Sequence, residues 1–286
     1  MKKILPLLIL FLIVEQAQAQ KAPDLLGACT FEQLLKEPYA AWYNQNLSAY
    51  QPNGEILTQF QKADLSKYSM KIFFGSWCGD SKRELPRMIK VLEKLSFQKN
   101  NITLIGVEDS LALYKQSPQH EEAGQNIYRV PTFVIYKGGK EVGRIVESPA
   151  ETLERDLLKI VLKKEYLPNY RSYTLIEQWL KDGLLKDENV NARGLAFQLK
   201  PVVLSESELN SCGYVLLAQR SIKEAIAVFR VNVNLFPQSA NCFDSLGEAY
   251  AIAGSKDKAI QAYEYAVHLD PKNEGVAERL KKLKGE

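Results

Sequence analysis

The segment with the clearest capacity for chemistry is Trp77-Cys78-Gly79-Asp80-Ser81, where a short apolar strand is predicted to meet a helix. The N-terminus of a helix presents unpaired N–H groups and about half a positive charge. A thiol in that position loses its proton more easily, and the thiolate is the nucleophile that attacks disulfides. Asp80 opposes this effect with a nearby negative charge. Cys78 is therefore predicted to be the reactive cysteine.

The other three cysteines have plainer surroundings. Cys212 and Cys242 fall at helical positions where a free cysteine acts as a small hydrophobic residue. A disulfide between them is the disfavoured alternative, because sequence does not give their separation. Cys29 stays a candidate for the thiol that releases a mixed disulfide at Cys78.

No cofactor or metal is predicted. The histidines, His120 and His268, lack the spacing to the cysteines that a zinc site requires. The chain also lacks a Gly-rich phosphate loop and the serine elbow of hydrolases. The formal net charge is +3 without a strongly one-signed block in the body of the chain, so a nucleic-acid partner is not predicted.

The elements that position Cys78 alternate between strands and helices. Strands are predicted over 71–74, 102–107, 132–136 and 141–146, the last two joined by a Gly138-Gly139 hairpin turn. Helices are predicted from just after Ser81 through Leu95, across 109–127, and from a cap at Ser148 to Val161. The order is typical of an α/β layer with a mixed sheet flanked by helices.

From about Met70 to Val161 the chain resembles the thioredoxin family. Trp77, Cys78 and Gly79 match its active-site motif, and Pro86 follows the cysteine by eight residues, where that family kinks its helix. Val130-Pro131-Thr132 matches its proline loop. The resemblance implies that Pro131 is cis and lies against the reactive sulfur, and that Trp77 forms a wall for a bound peptide.

Two departures from that family concern the second half of its reaction. Ser81 replaces the second cysteine, and Ile72 stands about where members often bury an acid. In a two-cysteine protein the second thiol resolves the mixed disulfide that the first one forms. Ser81 is able to donate a hydrogen bond to a thiolate but not to resolve a disulfide. The domain is therefore not expected to cycle alone as a dithiol reductase.

Two functions remain open from the sequence. In the first, an exported protein engages protein thiols or disulfides through Cys78, a monothiol oxidoreductase or isomerase-like activity, and the C-terminal repeats bind the partner. In the second, Cys78 is a relic, and the groove near Pro131 together with the repeats binds peptide as a non-catalytic adaptor or chaperone. The candidate site residues are Cys78, Ser81, Pro131 and Trp77.

The C-terminal region contains a 34-residue repeat. The pairs at that separation are Gly213 and Gly247, Ala225 and Ala259, Phe229 and Tyr263, and Pro237 and Pro271. This period and pattern resemble the tetratricopeptide repeat, which is a pair of antiparallel helices. Two such units need capping elements, which the preceding connector and residues 272–284 are predicted to supply.

The N-terminal residues are predicted to be a signal peptide. Lys2 and Lys3 precede an apolar run over 4–14, and residues 17–19 (Ala-Gln-Ala) form a small-x-small cleavage site. The run is shorter than the roughly 20 residues that span a bilayer, so no stable membrane span is predicted. The mature chain is expected to begin near Gln20, in the periplasm or outside the cell.

Lipid anchoring is the disfavoured alternative for the N-terminus. Residues 26–29 (Leu-Gly-Ala-Cys) look like a lipidation box that would modify Cys29. Such a box should follow the apolar run directly, whereas Glu15, Lys21 and Asp24 intervene. The predicted divisions are a signal peptide over 1–19, an N-terminal helical segment over 20–64, a thioredoxin-like domain over 65–164, a helical connector over 165–205, and two repeats with a capping helix over 206–286.

Overall fold

The computed structural model describes residues 23–286, and its first half is built on a mixed sheet. The strands in this part are β1 (Gly27–Cys29), β2 (Tyr68–Phe74), β3 (Ile102–Gly106), β4 (Thr132–Lys137) and β5 (Lys140–Val146). Their spatial order is β1-β3-β2-β4-β5. β2 and β3 are parallel, and the other neighbouring pairs are antiparallel. The predicted mixed sheet is confirmed.

Helices cover the sheet and make up the C-terminal half. In the first half they are α1 (Phe31–Leu34), α2 (Tyr39–Ala49), α3 (Gly54–Thr58), α4 (Gly79–Lys94) and α5 (Leu153–Val161). In the second half they are α6 (Ser172–Lys181), α7 (Ala192–Leu199), α8 (Glu206–Ala218), α9 (Ile222–Leu235), α10 (Ala240–Ile252), α11 (Lys256–Leu269) and α12 (Glu274–Lys284).

The central strand β2 buries both of its faces. Alternate residues of a strand point to opposite sides. Met70, Ile72 and Phe74 pack with residues of α2, α4 and α5, whereas Phe73 packs on the other face with Val107 and Val130. A strand buried on both faces reads as a continuous apolar run, which is why the sequence showed it clearly.

The N-terminal segment is part of the same core, although the sequence suggested separate helices. Its residues 27–29 form the edge strand β1, which pairs with β3. Leu34 and Tyr43 are buried in the same cluster as β2 and α4. Tyr50 and the backbone of Asn53 both donate hydrogen bonds to the carboxylate of Glu154 on α5, at 2.6 and 3.0 Å.

Residues 109–127 do not form the predicted helix. The structure has a single 3-10 turn there, Leu111–Leu113, followed by loops. Left-handed backbone at Lys115, His120 and Asn126 interrupts any helical run. Ser117 is buried, and its amide and hydroxyl both donate to the carboxylate of Glu122, at 2.9 and 2.5 Å. Side chains thus satisfy backbone groups that a helix would have paired.

Two helix starts differ from the expected positions. α4 begins at Gly79, so the motif's last three residues lie inside the helix and Cys78 is its N-cap. α5 begins after Thr152, whose hydroxyl accepts from the amide of Arg155 at 3.2 Å, and not after Ser148. Both Thr and Ser make suitable N-caps, and local sequence does not choose between two candidates four residues apart.

The C-terminal half contains two helical hairpins in register with the sequence period. α8, α10 and α12 begin at residues 206, 240 and 274, and α9 and α11 begin at 222 and 256, each step being 34 residues. A Cβ added to Gly213 would lie 2.4 Å from the ring of Phe229, and one on Gly247 would lie 2.7 Å from the ring of Tyr263. The repeated glycines therefore admit the aromatic ring of the neighbouring helix.

The connector joins the two halves into one core. α6 and α7 pack with α8 and α9, and this apolar cluster also contains Tyr128 and Val146 of the α/β half. The hydroxyl of Tyr173 accepts from Arg129 at 3.1 Å and donates to the carbonyl of Glu208 at 3.2 Å. α12 covers Tyr263 on the last hairpin, at the place where a capping helix was predicted.

The predicted signal peptide lies outside the described residues. The region of the proposed lipidation box is within them, and it is built into the fold. The amide of Leu25 donates to the hydroxyl of Ser76 at 2.9 Å, and Gly27 pairs with Gly106. Cleavage before Cys29 would remove these contacts. None of the helices across residues 23–286 has the length and apolar character that crossing a bilayer requires.

Candidate functional site

Cys78 stands at the junction between β2 and α4. Its amide donates to the carbonyl of Gly75 at 3.0 Å, which closes the turn that leaves the strand. Its backbone is extended and α4 follows directly, so the sulfur lies beside the first turn of the helix. The side chain is half-buried. The position that the sequence assigned to this residue, at the strand-to-helix junction, is the one observed.

Pro131 lies in the loop that enters β4 and follows Val130, whose carbonyl contacts the sulfur. The Val130–Pro131 peptide bond is cis, as the resemblance implies. The thiol of Cys78 donates to the carbonyl oxygen of Val130 at 3.3 Å. The hydroxyl of Thr132 donates to the carbonyl of Arg129 at 2.6 Å and stabilises the conformation of this loop. The two motifs, more than 50 residues apart in sequence, thus meet at the sulfur.

Ser81 is fully buried in the first turn of α4. Its hydroxyl oxygen accepts a hydrogen bond from the amide of Gly75 at 3.1 Å. The sequence predicted a donor to the sulfur of Cys78, whereas the contact that the structure gives is this acceptor role. Ser81 therefore stabilises the turn that carries the cysteine, and it offers no thiol for a second exchange step.

Trp77 forms one wall beside the cysteine. Its indole N–H donates to the carbonyl of Val107 at 2.8 Å, and its ring packs with the cluster of Phe73 and Val130. A Cβ on Gly75 would lie 2.5 Å from the indole ring, so only glycine allows this close approach. The indole is thereby held in one orientation next to Cys78.

The acidic residue of the motif is ion-paired. Asp80 accepts from Arg83 at 2.6 Å, one turn further along α4. Its carboxylate is thereby turned to a cation on its own helix, which offsets part of its effect on the neighbouring thiol. Arg83 therefore reduces the unfavourable effect that the negative charge of Asp80 was predicted to have on the thiolate of Cys78.

The cavity that contains Cys78 is shared between the two halves of the chain. Its volume is about 330 Å³. Its lining consists of Trp77, Cys78, Tyr114, Lys115, Arg129, Val130 and Glu147 from the α/β half, and Ser207, Asn210, Ser211 and Tyr214 from α8. Helix α8 of the C-terminal half thus forms one wall of the cavity that contains Cys78. The sequence did not predict this arrangement.

Lys115 is the most buried charged side chain in that lining, with 5% of its surface exposed. Its ammonium group donates to the hydroxyls of Tyr114 and Ser211, both at 2.6 Å. Burial lowers the pKa of Lys115 to about 7, and the neighbouring charge of Arg129 adds to this effect. Glu147 and Cys78 act in the opposite direction. The site therefore contains a group that changes its charge near neutral pH.

Arg129 is the second cation of the cavity. It donates to the carboxylate of Glu147 at 2.9 Å and to the hydroxyl of Ser207 on α8 at 2.7 Å. Its guanidinium also lies over the ring of Tyr170, 4.8 Å from the centroid. A signal for this residue was present, because it directly precedes the Val130-Pro131 motif. Lys115 and the α8 residues carried no such signal, because only tertiary packing brings them to Cys78.

The remaining cysteines are also free thiols, two of them buried and one, Cys29, half-buried like Cys78. Cys212 and Cys242 are fully buried, and burial raises the pKa of both thiols, that of Cys242 to about 12. Cys29 lies in the edge strand, where burial also raises its pKa. The predicted role of Cys212 and Cys242 as small core residues agrees with their complete burial.

Two known proteins are similar to the first half of the chain. A thioredoxin-like protein of Acanthamoeba polyphaga mimivirus is 29% identical over 92 residues, which is 30% of this chain and 58% of the viral protein. Mitochondrial thioredoxin-2 of Schizosaccharomyces pombe is 33% identical over 93 residues, which is 32% of this chain and 62% of the yeast protein. The chain thus spans less than two thirds of either relative.

No protein-family model matches the chain. The similarity to both thioredoxin-like relatives nevertheless agrees with the mixed sheet and its flanking helices. The chain therefore combines a thioredoxin-like α/β fold, a mixed five-stranded sheet with flanking helices in the described residues, with a mostly helical C-terminal region.

Proposed function

We propose that this protein exchanges thiols and disulfides through the single nucleophile Cys78 and forms mixed disulfides that it does not resolve by itself. One observation carries the proposal: the sulfur of Cys78 lies at the start of α4, 3.3 Å from the carbonyl of Val130, while the position of a second thiol is held by the buried Ser81. Trp77 and Pro131 complete the proposed site.

The first step is attack by the Cys78 thiolate on one sulfur of a disulfide. A bond forms between the two sulfurs, the original disulfide bond breaks, and the leaving thiolate takes a proton from water. Cys78 is oxidised to the mixed disulfide and the leaving half is reduced to a thiol. A second, external thiol then attacks the mixed disulfide and restores Cys78, so each cycle needs one thiol from outside the site.

The site residues have distinct parts in this scheme. The N-terminus of α4 favours negative charge at the sulfur. Trp77 packs against the same apolar cluster as Cys78, and the carbonyl of Val130, next to Pro131, contacts the sulfur. Ser81 keeps the turn in place through the amide of Gly75. None of these groups supplies an internal thiol, which makes external release the expected second step.

The same proposal extends to the C-terminal half and to the location of the protein. The two hairpins are tetratricopeptide repeats that recruit a protein partner, which is supported by the 34-residue recurrence of helix starts and of the glycine–aromatic contacts. Residues 1–19 direct export and are removed, which is supported by their charge and apolar pattern. The N-terminal residue of the mature protein, identified by mass spectrometry of cell fractions, tests export.

The reactivity of Cys78 tests the exchange itself. Hydroxyethyl disulfide, a small uncharged reagent, is added to the folded protein and to the protein in urea, and the modified cysteine is identified by peptide mass spectrometry. We expect Cys78 in the folded protein to react faster than N-acetylcysteine at the same pH, and this advantage to vanish in urea. Cys78→Ser should remove the adduct, whereas the matched variant Cys29→Ser should retain it.

A contrary result has a clear meaning. If Cys78 of the folded protein reacts no faster than N-acetylcysteine or Cys29, the exchange proposal is wrong. The non-catalytic adaptor, in which Cys78 is a relic, would then be the better account of this chain.

A further inference from the structure

Helix α8 is hydrogen-bonded to the loop that precedes Pro131 and lines the cavity beside Cys78. The hydroxyl of Ser211 donates to the carbonyl of Tyr128 at 2.5 Å, and the thiol of Cys78 donates to that of Val130. Arg129, between them, donates to Ser207 of the same helix. The carbonyl of Tyr128 is thus engaged by α8, and a polypeptide pairing with the loop at this residue would have to displace α8.

The remaining space is that of a small molecule. At about 330 Å³ the cavity lies at the lower end of the roughly 300–1,000 Å³ found for small-molecule sites. Cys78 lies in its wall, so a ligand in the cavity lies next to the sulfur. A disulfide of low molecular weight is therefore the class of substrate that both the volume and the nucleophile allow.

The charged side chains that line the cavity indicate which small disulfides it would bind. Arg129 brings a cation to the cavity, Lys115 brings an amine that is a cation when protonated, and Glu147, which accepts from Arg129, brings one carboxylate. A cation this deeply buried is stabilised by an anionic partner, and carboxylates are strong acceptors for both lysine and arginine. A ligand carboxylate near Lys115 stabilises the protonated amine, which burial alone disfavours.

Asn210 of α8 is one of the residues that line the cavity. The amide oxygen of Asn210 is buried and accepts no hydrogen bond from the described part of the chain. Buried acceptors are normally satisfied, so this oxygen is suited to an N–H donor of a ligand. Together with the carboxylate of Glu147, it provides a place for an ammonium group.

We propose that the cavity beside Cys78 binds a small disulfide with an α-amino acid head group, of which cystine is the simplest. The ligand carboxylate lies against Lys115 and Arg129, its ammonium group against Asn210 and Glu147, and its disulfide against Cys78. This inference rests on the proposed exchange at Cys78 and names its substrate class.

The step is a balanced exchange. The Cys78 thiolate forms a bond to one sulfur of cystine, the cystine disulfide breaks, and one cysteine leaves as a thiolate that takes a proton from water. Cys78 is left oxidised as a cysteinyl mixed disulfide. A second small thiol attacks that adduct, forms a new small disulfide, and returns Cys78 to the thiolate.

A series of matched disulfides tests the ligand class in the full-length mature protein. Cystine carries both head-group charges, cystamine lacks the carboxylates, dithiodipropionate lacks the ammonium groups, and hydroxyethyl disulfide lacks both. The rate of adduct formation at Cys78 is measured by mass spectrometry and divided by the rate of N-acetylcysteine with the same reagent. We expect the ratio for cystine to exceed that for hydroxyethyl disulfide about tenfold, with cystamine and dithiodipropionate, which each keep one of the two kinds of charged group, between them.

Two cavity variants connect this preference to the named residues. Lys115→Met and Asn210→Leu, which change charge or polarity at similar volume, should each remove most of the preference for cystine over hydroxyethyl disulfide. Lys140→Met, at an exposed lysine that begins β5, should retain it. If a variant does not fold, the four reagents applied to the wild-type protein still test whether the cavity prefers cystine.

The outcomes separate this inference from the function on which it rests. If Cys78 reacts rapidly with all four reagents and shows no preference, the exchange stands and the ligand class is wrong. If it reacts with none of them, the exchange itself is wrong. If reduced protein attacks the disulfides of insulin faster than cystine after the same normalisation, a polypeptide is the substrate and the inference is overturned.

Discussion

The ammonium group of Lys115 lies 2.6 Å from the hydroxyl of Ser211, which joins a loop of the thioredoxin-like half to the first helix of the C-terminal half. Ser211 in turn donates to the backbone of Tyr128, three residues before Pro131. The helical region is thus fixed against the cysteine site by hydrogen bonds and not only by apolar packing. The chemistry available to Cys78 depends on both halves of the chain.

The buried lysine predicts a specific pH dependence of stability. The pKa of Lys115 is lowered to about 7 by burial, whereas an unfolded lysine titrates near 10.4. Between these values the unfolded state binds more protons, so the free energy of unfolding contributed by this residue rises with pH, by up to about 1.4 kcal/mol per pH unit. The other ionisable or polar groups that face it are Tyr114, Arg129, Glu147, Cys78, Asp109 and Ser211.

Urea denaturation of the wild-type protein and of Lys115→Met between pH 7 and 9 checks this. The wild type should gain stability relative to the variant as the pH rises, because only the wild type retains the lysine. Parallel pH profiles of the two proteins would show that the lysine is not held in its neutral form.

Restoring a second thiol should change the fate of the mixed disulfide. Ser81→Cys places a thiol three residues after Cys78, in the first turn of α4. An intramolecular attack should then shorten the lifetime of the adduct by roughly tenfold or more, with release of the small thiol and formation of an internal disulfide. Mass spectrometry of the isolated adduct follows the reaction. Ser81→Ala is the matched control and should keep the adduct intact; a stable adduct in Ser81→Cys would contradict the prediction.

The glycines of the two hairpins predict a local loss of stability. Gly213→Ala places a methyl group where the ring of Phe229 lies, at a distance of 2.4 Å, and Gly247→Ala does the same at Tyr263. Overpacking of this kind costs about 1–3 kcal/mol in the free energy of unfolding. Gly275→Ala in α12 is the control, because the nearest atom to its Cβ lies at 3.5 Å. That variant should be neutral or slightly stabilising, since alanine is the better helix former. Equal effects at the three glycines would show that the rings do not occupy these positions.

The N-terminal segment should be anchored through Ser76. Its hydroxyl accepts from the amide of Leu25 at 2.9 Å, and it donates to Asp24 at 3.1 Å. Ser76→Ala leaves the Leu25 amide without this partner, and the expected cost is about 1–2 kcal/mol. Limited proteolysis should then cut before β1 sooner than in the wild type. Ser66→Ala, which removes an exposed hydroxyl, serves as the control, and similar proteolysis of both variants would count against the anchor.

The sequence was sufficient wherever a short, local pattern carries the structure. The apolar run of β2 and the position of Cys78 at a strand-to-helix junction follow from neighbouring residues, and both are observed. The helix starts in the repeat region follow the predicted period because each hairpin is a local unit. The segment 109–127 was predicted wrongly as a helix, because buried side chains such as Ser117 and Glu122, and not backbone propensity, decide its course.

The sequence by itself determined that this chain has one cysteine at the start of a helix, a serine in place of its partner, and a proline motif suited to lie beside it. Only the tertiary structure decided what else reaches that cysteine. Lys115 and Ser211 are nearly 100 residues apart and meet because the connector folds α8 back onto the Pro131 loop. Such a contact depends on how two apolar faces pack together, and no local pattern of residues records that packing.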